Sequence, residues 1–186
     1  MSLIFNKDRL YLALYERPGW NPATNEDSER FHFAILLIPK NPRLDVDPDC
    51  PNSPRDSFVI HAVRGPNDKF FSFNAKPVVA KTTNLSGLIF LGKVTQNRDY
   101  VRDILDKGVA IEKVEGYNCR TWARAAIQLL QKEKVITDPV ALATDVDQML
   151  ETGRMLTANY IELVTPTFVP THLADGHLCK SALQGL

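Results

Sequence analysis

The order of patterns along the chain predicts an α+β fold, an antiparallel sheet packed against helices. Two observations carry that expectation. Short apolar runs of strand length, separated by turn-forming residues, fill the chain up to Val94. Helical periodicity and capping signals begin only at Asn97. Strands first and helices later favour sequential antiparallel pairing over a βαβ arrangement.

The elements follow in order. Leu10 to Tyr15 sets Leu10, Leu12 and Leu14 against Tyr11, Ala13 and Tyr15, a strand with both faces covered. Residues 17–30 are loop by their Pro, Gly and Asn content. FHFAILLIP (31–39) is a nearly continuous apolar run stopped by Pro39, the profile of a central strand. Residues 40–56 carry Pro42, Pro48, Pro51 and Pro54, a long surface excursion of the kind that is functional or mobile in compact domains. SFVIHAVRG (57–65) and KFFSFNA (69–75) flank Gly65-Pro66-Asn67-Asp68 and read as a hairpin. SGLIFLGKV (86–94) is a further strand. Asn97 caps a helix with Val101, Ile104 and Leu105 on one face and Gly108 at its end. A second helix starts at Asn118. A third opens at Asp138 with Pro139 in its first position, presents Leu142, Val146, Met149 and Leu150 inward, and stops at Gly153. ANYIELVTP (158–166) reads as a last strand. One domain over 1–166 is expected, followed by a weakly patterned tail, 167–186, that is partly disordered.

Composition narrows the function classes. The 186 residues suit one domain, and 44% hydrophobic content supplies a core. Twenty-two basic residues balance twenty-two acidic ones, so no basic surface calls for nucleic acid. Lys7, Asp8 and Arg9 interrupt the N-terminal apolar stretch, which excludes a signal peptide, and no run approaches the ~20 residues of a membrane span. The three cysteines, Cys50, Cys119 and Cys179, form no CxxC pair. A disulfide framework is therefore not expected, and free thiols in a reducing, cytoplasmic setting are. Nothing in the sequence speaks to oligomeric state.

One stretch carries chemistry: EGYNCRTWARAAIQLL, residues 115–130. Asn118 is a good N-cap, so Cys119 falls in the first helical turn, where free N–H groups and the helix dipole favour an anion. A thiolate is the reactive form of cysteine, and amides of that turn are also placed to donate to an oxyanion. Trp122, Ala126, Leu129 and Leu130 share the face that Cys119 begins, so the sulfur looks inward. A free cysteine can equally be packing alone. Two of the four histidines lie inside strand patterns, His32 and His61. If their strands pair, the imidazoles sit side by side on the sheet face covered by the Cys119 helix, where one takes the thiol proton and the other orients that imidazole. The alternative is two unrelated histidines, each satisfied locally. His172 and His177 fall in the tail.

Other signals are weaker. Zinc bound by His32, His61 and Cys119 lacks a fourth ligand and typical spacing. Asp45, Asp47 and Asp49 read as a solvated acidic loop, lacking the glycine and terminal glutamate of an EF-hand. Phosphate-binding glycine motifs and a GxSxG elbow are absent. No metal and no cofactor are expected. The aromatic string 70–73 reads as core, and Trp20 as either an exposed contact or a tucked loop anchor.

HFAILL (32–37), VIHAV (59–63) and NCRTW (118–122), in that order, resemble the circularly permuted papain-like proteins. These are the NlpC/P60-related group that includes lecithin:retinol acyltransferase-like enzymes and PPPDE-type isopeptidases. The pattern is more similar still to a family of short fungal proteins with an H-A-L-I…P strand, an H-A strand and an N-C-x-x-W helix. The resemblance covers roughly residues 10–135. It implies Cys119 as nucleophile, His32 as general base and His61 as the polar third member. Arg120 and Thr121 depart from the acidic or histidine residues that usually follow the family's cysteine, and the two histidines are spaced more widely here.

Two functions follow. In the first, the chain is a cysteine-dependent hydrolase or acyltransferase that forms an acyl-enzyme on a small-molecule or peptide carbonyl. In the second, it is a non-catalytic interaction module on the same fold, with Cys119 in the core and the proline-rich loop as a partner surface.

Overall fold

A computed structural model describes residues 8–25, 29–43, 50, 53–80, 82, 84–163, 169–180 and 183. Strands β1 (Arg9–Glu16), β2 (Phe31–Ile38), β3 (Ser57–Val63), β4 (Ser72–Val78) and β5 (Leu85–Lys93) come first. Helices α1 (Arg98–Gly108), α2 (Cys119–Lys132), α3 (Pro139–Ala143) and α4 (Val146–Leu163) follow, and a two-residue strand, β6 (Thr171–His172), ends the order. The sheet runs β4-β3-β2-β1-β5-β6. The α+β class stands, but the sheet is mixed rather than purely antiparallel, because β6 pairs in parallel with β5 through Leu88↔Thr171 and Ile89↔His172.

Register follows from the period of two. Ile35 pairs with Ile60 and Leu36 with Val59, while β1 aligns Leu12 with Ile35 and Ala13 with Ala34. Alternate residues therefore enter two separate cores. Leu10, Leu12, Leu14, Phe31, Phe33, Ile35, Leu37, Ile60 and Ala62 pack with Trp122, Ala126 and Leu130 of α2 and Met149 and Leu150 of α4. Tyr11, Ala13, Ala34, Leu36, Ile38 and Val59 pack on the opposite face with Ala80, Leu85, Val169 and Leu183.

Capping defines the helices. Asn97 accepts from the Tyr100 amide at 2.7 Å, and α1 buries Val101 and Leu105. Asp138 accepts from the amides of Val140 and Ala141, with Pro139 in the first turn. The helix it opens is short. Asp145 caps a new one by accepting from Asp147 and Gln148 at 3.0 and 3.1 Å, so the single third helix expected from the sequence is split. Leu142, expected on the inner stripe, is exposed, whereas Val146, Met149 and Leu150 are buried as expected. Gly153 does not stop the helix. A Cβ there would press on Ile89 and Leu14 at 3.2–3.3 Å, so its small size lets α4 lie close on the sheet. Residues 158–163, expected as a strand, complete α4.

The hairpin is formed as expected, with Ser57↔Val78 to Val63↔Ser72 in register, although β4 begins at Ser72 rather than Lys69. The tail corrects the proposed domain boundary. Val169, Thr171 and Ala174 are buried, and Leu173 closes a turn by donating to the His177 carbonyl, so residues beyond 166 belong to the same core. Residues 44–49 and 51–52 of the proline-rich stretch, including Asp45, Asp47 and Asp49, lie outside the described residues.

Candidate active site

Cys119 begins α2 as expected and is 2% exposed. Asn118 adopts an extended backbone, and its side chain accepts from the Arg120 and Thr121 amides at 2.9 and 3.1 Å. The Trp122 amide bonds the Asn118 carbonyl. Three donors of the first turn are thus spent on the cap. This corrects the expected oxyanion site, because only the Cys119 amide of that turn is left for a ligand.

Cys119 is one of the residues lining a cavity of about 370 Å³ whose walls also include Phe31, Phe33, Phe71 and Tyr117. Arg17, Arg64 and Arg120 also line it, together with a carboxylate, Glu29. Arg17, just beyond β1, sends Nη2 to within 3.5 Å of Sγ. Its Nε is buried without a hydrogen-bond partner. Arg64 lies over the Phe71 ring, and Arg120 is tied to Glu151 at 3.2 Å. Trp20, left between two readings, is a loop anchor: the Arg30 guanidinium stacks on it at 4.7 Å while bonding Glu16.

The two strand histidines do meet. His32 Nε2 and His61 Nδ1 are 2.8 Å apart, one donating and the other accepting according to tautomer. They meet on the wrong face for Cys119. His32 alternates with Phe31 and Phe33, and His61 with Ile60 and Ala62, all of which pack under α2. Both imidazoles therefore share the parity of Ala34, Leu36 and Val59, on the other side of the sheet. No hydrogen bond joins either ring to Cys119 among the described residues. The Cys119–His32–His61 constellation expected from the sequence is corrected to two separate groups.

The imidazole pair is neutral in character. Burial, then the neighbouring His61, then the charge of Arg17 lower the His32 pKa to about 3. Burial lowers His61 to about 4, with Asn74 opposing and Lys76 adding to the effect. Asn74 pairs across strands with His61, yet its Oδ1 and the His61 Nε2 both remain buried without a hydrogen bond of normal geometry. Tyr15 completes this cluster, its ring 6.4 Å from that of His32, and burial raises its hydroxyl pKa.

Elsewhere, His172 is buried in β6, and exposed His177 bonds Asp175 at 3.0 Å. Cys50 and Cys179 are free thiols. Among the described residues no group of three or more His, Cys, Asp or Glu side chains is placed to hold a metal. No helix among them is long and apolar enough to cross a membrane.

Sequence reasoning missed Arg17, Arg64, Phe31 and Phe33. The signal for the phenylalanines was the F-H-F alternation itself, which puts His32 opposite its neighbours. For the arginines there was none, since they come from two separate loops.

Fold and cavity together define an α+β protein with a helix-start thiol in an arginine-lined pocket. Residues 7–155 match the model of a family of unknown function, DUF6914, and the chain belongs to that family. No curated protein and no solved structure matches it.

Proposed function

We propose that the chain is a cysteine-dependent hydrolase or acyltransferase whose nucleophile is Cys119. The observation that carries this reading is the placement of Cys119 at a capped helix start, its Sγ in contact with the Arg17 guanidinium, in the wall of a cavity of about 370 Å³. The sulfur, its proton given up to water, attacks a carbonyl carbon as the thiolate. Arg17 and the Cys119 amide stabilise the negative charge on sulfur and on the developing oxyanion. The leaving group departs with its electron pair, and water or an amine then resolves the acyl-enzyme. Two strands preceding the nucleophile helix support kinship with the permuted papain-like group. The position of the histidines departs from that group's site, so His32 and His61 take no part in this chemistry.

The test is mass spectrometry of the intact protein after exposure to activated esters and thioesters. An acyl adduct on Cys119 that turns over, and is lost in Cys119→Ala, supports the proposal. Identical behaviour of parent and Cys119→Ala rules it out. In that event the second reading, a non-catalytic interaction module, takes its place. Its specific support is that both imidazoles lie across the sheet from the thiol.

A further inference from the structure

We infer that the Cys119 cavity recognises an anionic oxygen group, a carboxylate or a phosphate, carried on an apolar or aromatic body. The inference rests on the reading of this cavity as the functional site and adds the class of ligand to it. Its first ground is an unanswered charge. Among the described residues Arg17 has a buried Nε without a partner, and its one polar side-chain contact is the weak acceptor Sγ at 3.5 Å. Arg17 is half-buried, and a guanidinium whose Nε is shut off from water without an oxygen acceptor is costly; an oxyanion supplies the geometry that its planar donors fit.

The second ground is the composition of the wall. Arg64 has no carboxylate partner among the described residues and is held against Phe71, so its guanidinium is available at the rim. Arg120 is partly neutralised by Glu151, outside the wall. Among the described residues one wall carboxylate, Glu29, stands against three arginines, which makes that part of the wall net positive in a chain whose formal charge is zero. The third ground is the floor. Phe31 and Phe33 are buried in β2, whereas the half-buried rings of Phe71 and Tyr117 meet edge to face with centroids 6.2 Å apart and still present surface to a ligand. A flat apolar body would lie against these rings while its anionic end reaches Arg17. The start of α2 adds its dipole, and the Cys119 amide is the donor left over from the cap.

The test uses isosteric pairs that differ in charge. Phenylacetate, phenyl phosphate and neutral phenylacetamide are titrated into the folded protein, and the backbone amide resonances of residues 117–121 report binding. The expected result is that one or both anions bind about tenfold or more tightly than phenylacetamide. That preference should shrink in Arg64→Gln, which leaves Arg17 and the core untouched. Preference for phenylacetate or for phenyl phosphate tells carboxylate from phosphate. Equal affinity of the three, or no binding by any, overturns the inference.

A kinetic arm separates this inference from the nucleophile assignment. Simple thiols react faster with iodoacetamide than with iodoacetate, so the inference expects that order to invert at Cys119 and to revert in Arg64→Gln. Alkylation of Cys119 without inversion overturns the anion site and leaves the thiol reading standing. A Cys119 inert to both reagents removes the thiol reading, while the amide titration still decides the anion site.

Discussion

The two faces of the central sheet are built from the same strands and end in opposite chemistry. Under α2, alternate residues of β2 and β3 are aromatic and aliphatic, and the polar groups arrive from outside the sheet: Arg17, Arg64 and the start of the helix itself. On the opposite face the polar groups belong to the strands. Tyr15, His32, His61 and Asn74 occupy neighbouring positions of β1 to β4 and hold one another in a neutral cluster. One face thus places charge around a sulfur and a cavity. The other buries imidazoles where protonation is suppressed. The thiol and its guanidinium neighbour lie on the first face, and the imidazole pair lies on the second.

The largest expected effect lies in the packing that separates the faces. Trp122 is fully buried and meets Phe73 with ring centroids 6.3 Å apart. Trp122→Ala should cost about 3–5 kcal/mol in urea unfolding, through lost burial and the cavity left behind. A loss below about 1 kcal/mol would mean that α2 is not anchored to the sheet as described.

The histidine face should show itself through pH. Both imidazoles have folded pKa values, about 3 and about 4, below the unfolded value of 6.5. As pH falls below 6.5 the unfolded chain takes up protons that the folded chain refuses, so stability is full above pH 6.5 and declines towards pH 4. The slope approaches about 1.4 kcal/mol per pH unit for each proton taken up. Denaturation midpoints at pH 7 and pH 5 check this. A His32→Gln, His61→Gln double variant should lose much less between them, and an equal loss would deny the pair its neutral burial.

A smaller effect is expected at the helix start. Asn118→Ala removes the acceptor for two amides and should cost about 1 kcal/mol. It also frees two donors beside Cys119, so binding of phenylacetate should not weaken in proportion to stability. Thermal unfolding and the amide titration, run on the same variant, compare the two.

Much of this arrangement was legible in the sequence. The β2 and β3 runs, a hairpin read over 57–75, the Asn97 and Asn118 caps and the position of Cys119 all came from local signals: alternation, turn residues and cap chemistry. The split between α3 and α4 was missed because a continuous apolar stripe outweighed a second cap at Asp145. Gly153 was misread because a glycine that ends a helix and one that lets a helix approach a sheet look alike in one sequence. The tail carries too short a strand to show a period. The histidines illustrate a deeper limit. Strand pairing put them together and the expectation set them under α2, but both faces of β2 are apolar apart from His32, since Val169 and Leu183 help cover the second face. Nothing local declared which parity α2 would cover.

The central claim is that Cys119 answers to Arg17 and not to the histidines. The most direct measurement is the rate of Cys119 alkylation by iodoacetamide at neutral pH in the parent, Arg17→Gln and His32→Gln. The account predicts a several-fold change in Arg17→Gln, of the size expected for losing about one charged contact, and a rate in His32→Gln equal to the parent's. A His32→Gln rate that falls as far as that of Arg17→Gln would place an imidazole back beside the thiol and contradict the separation of the two faces.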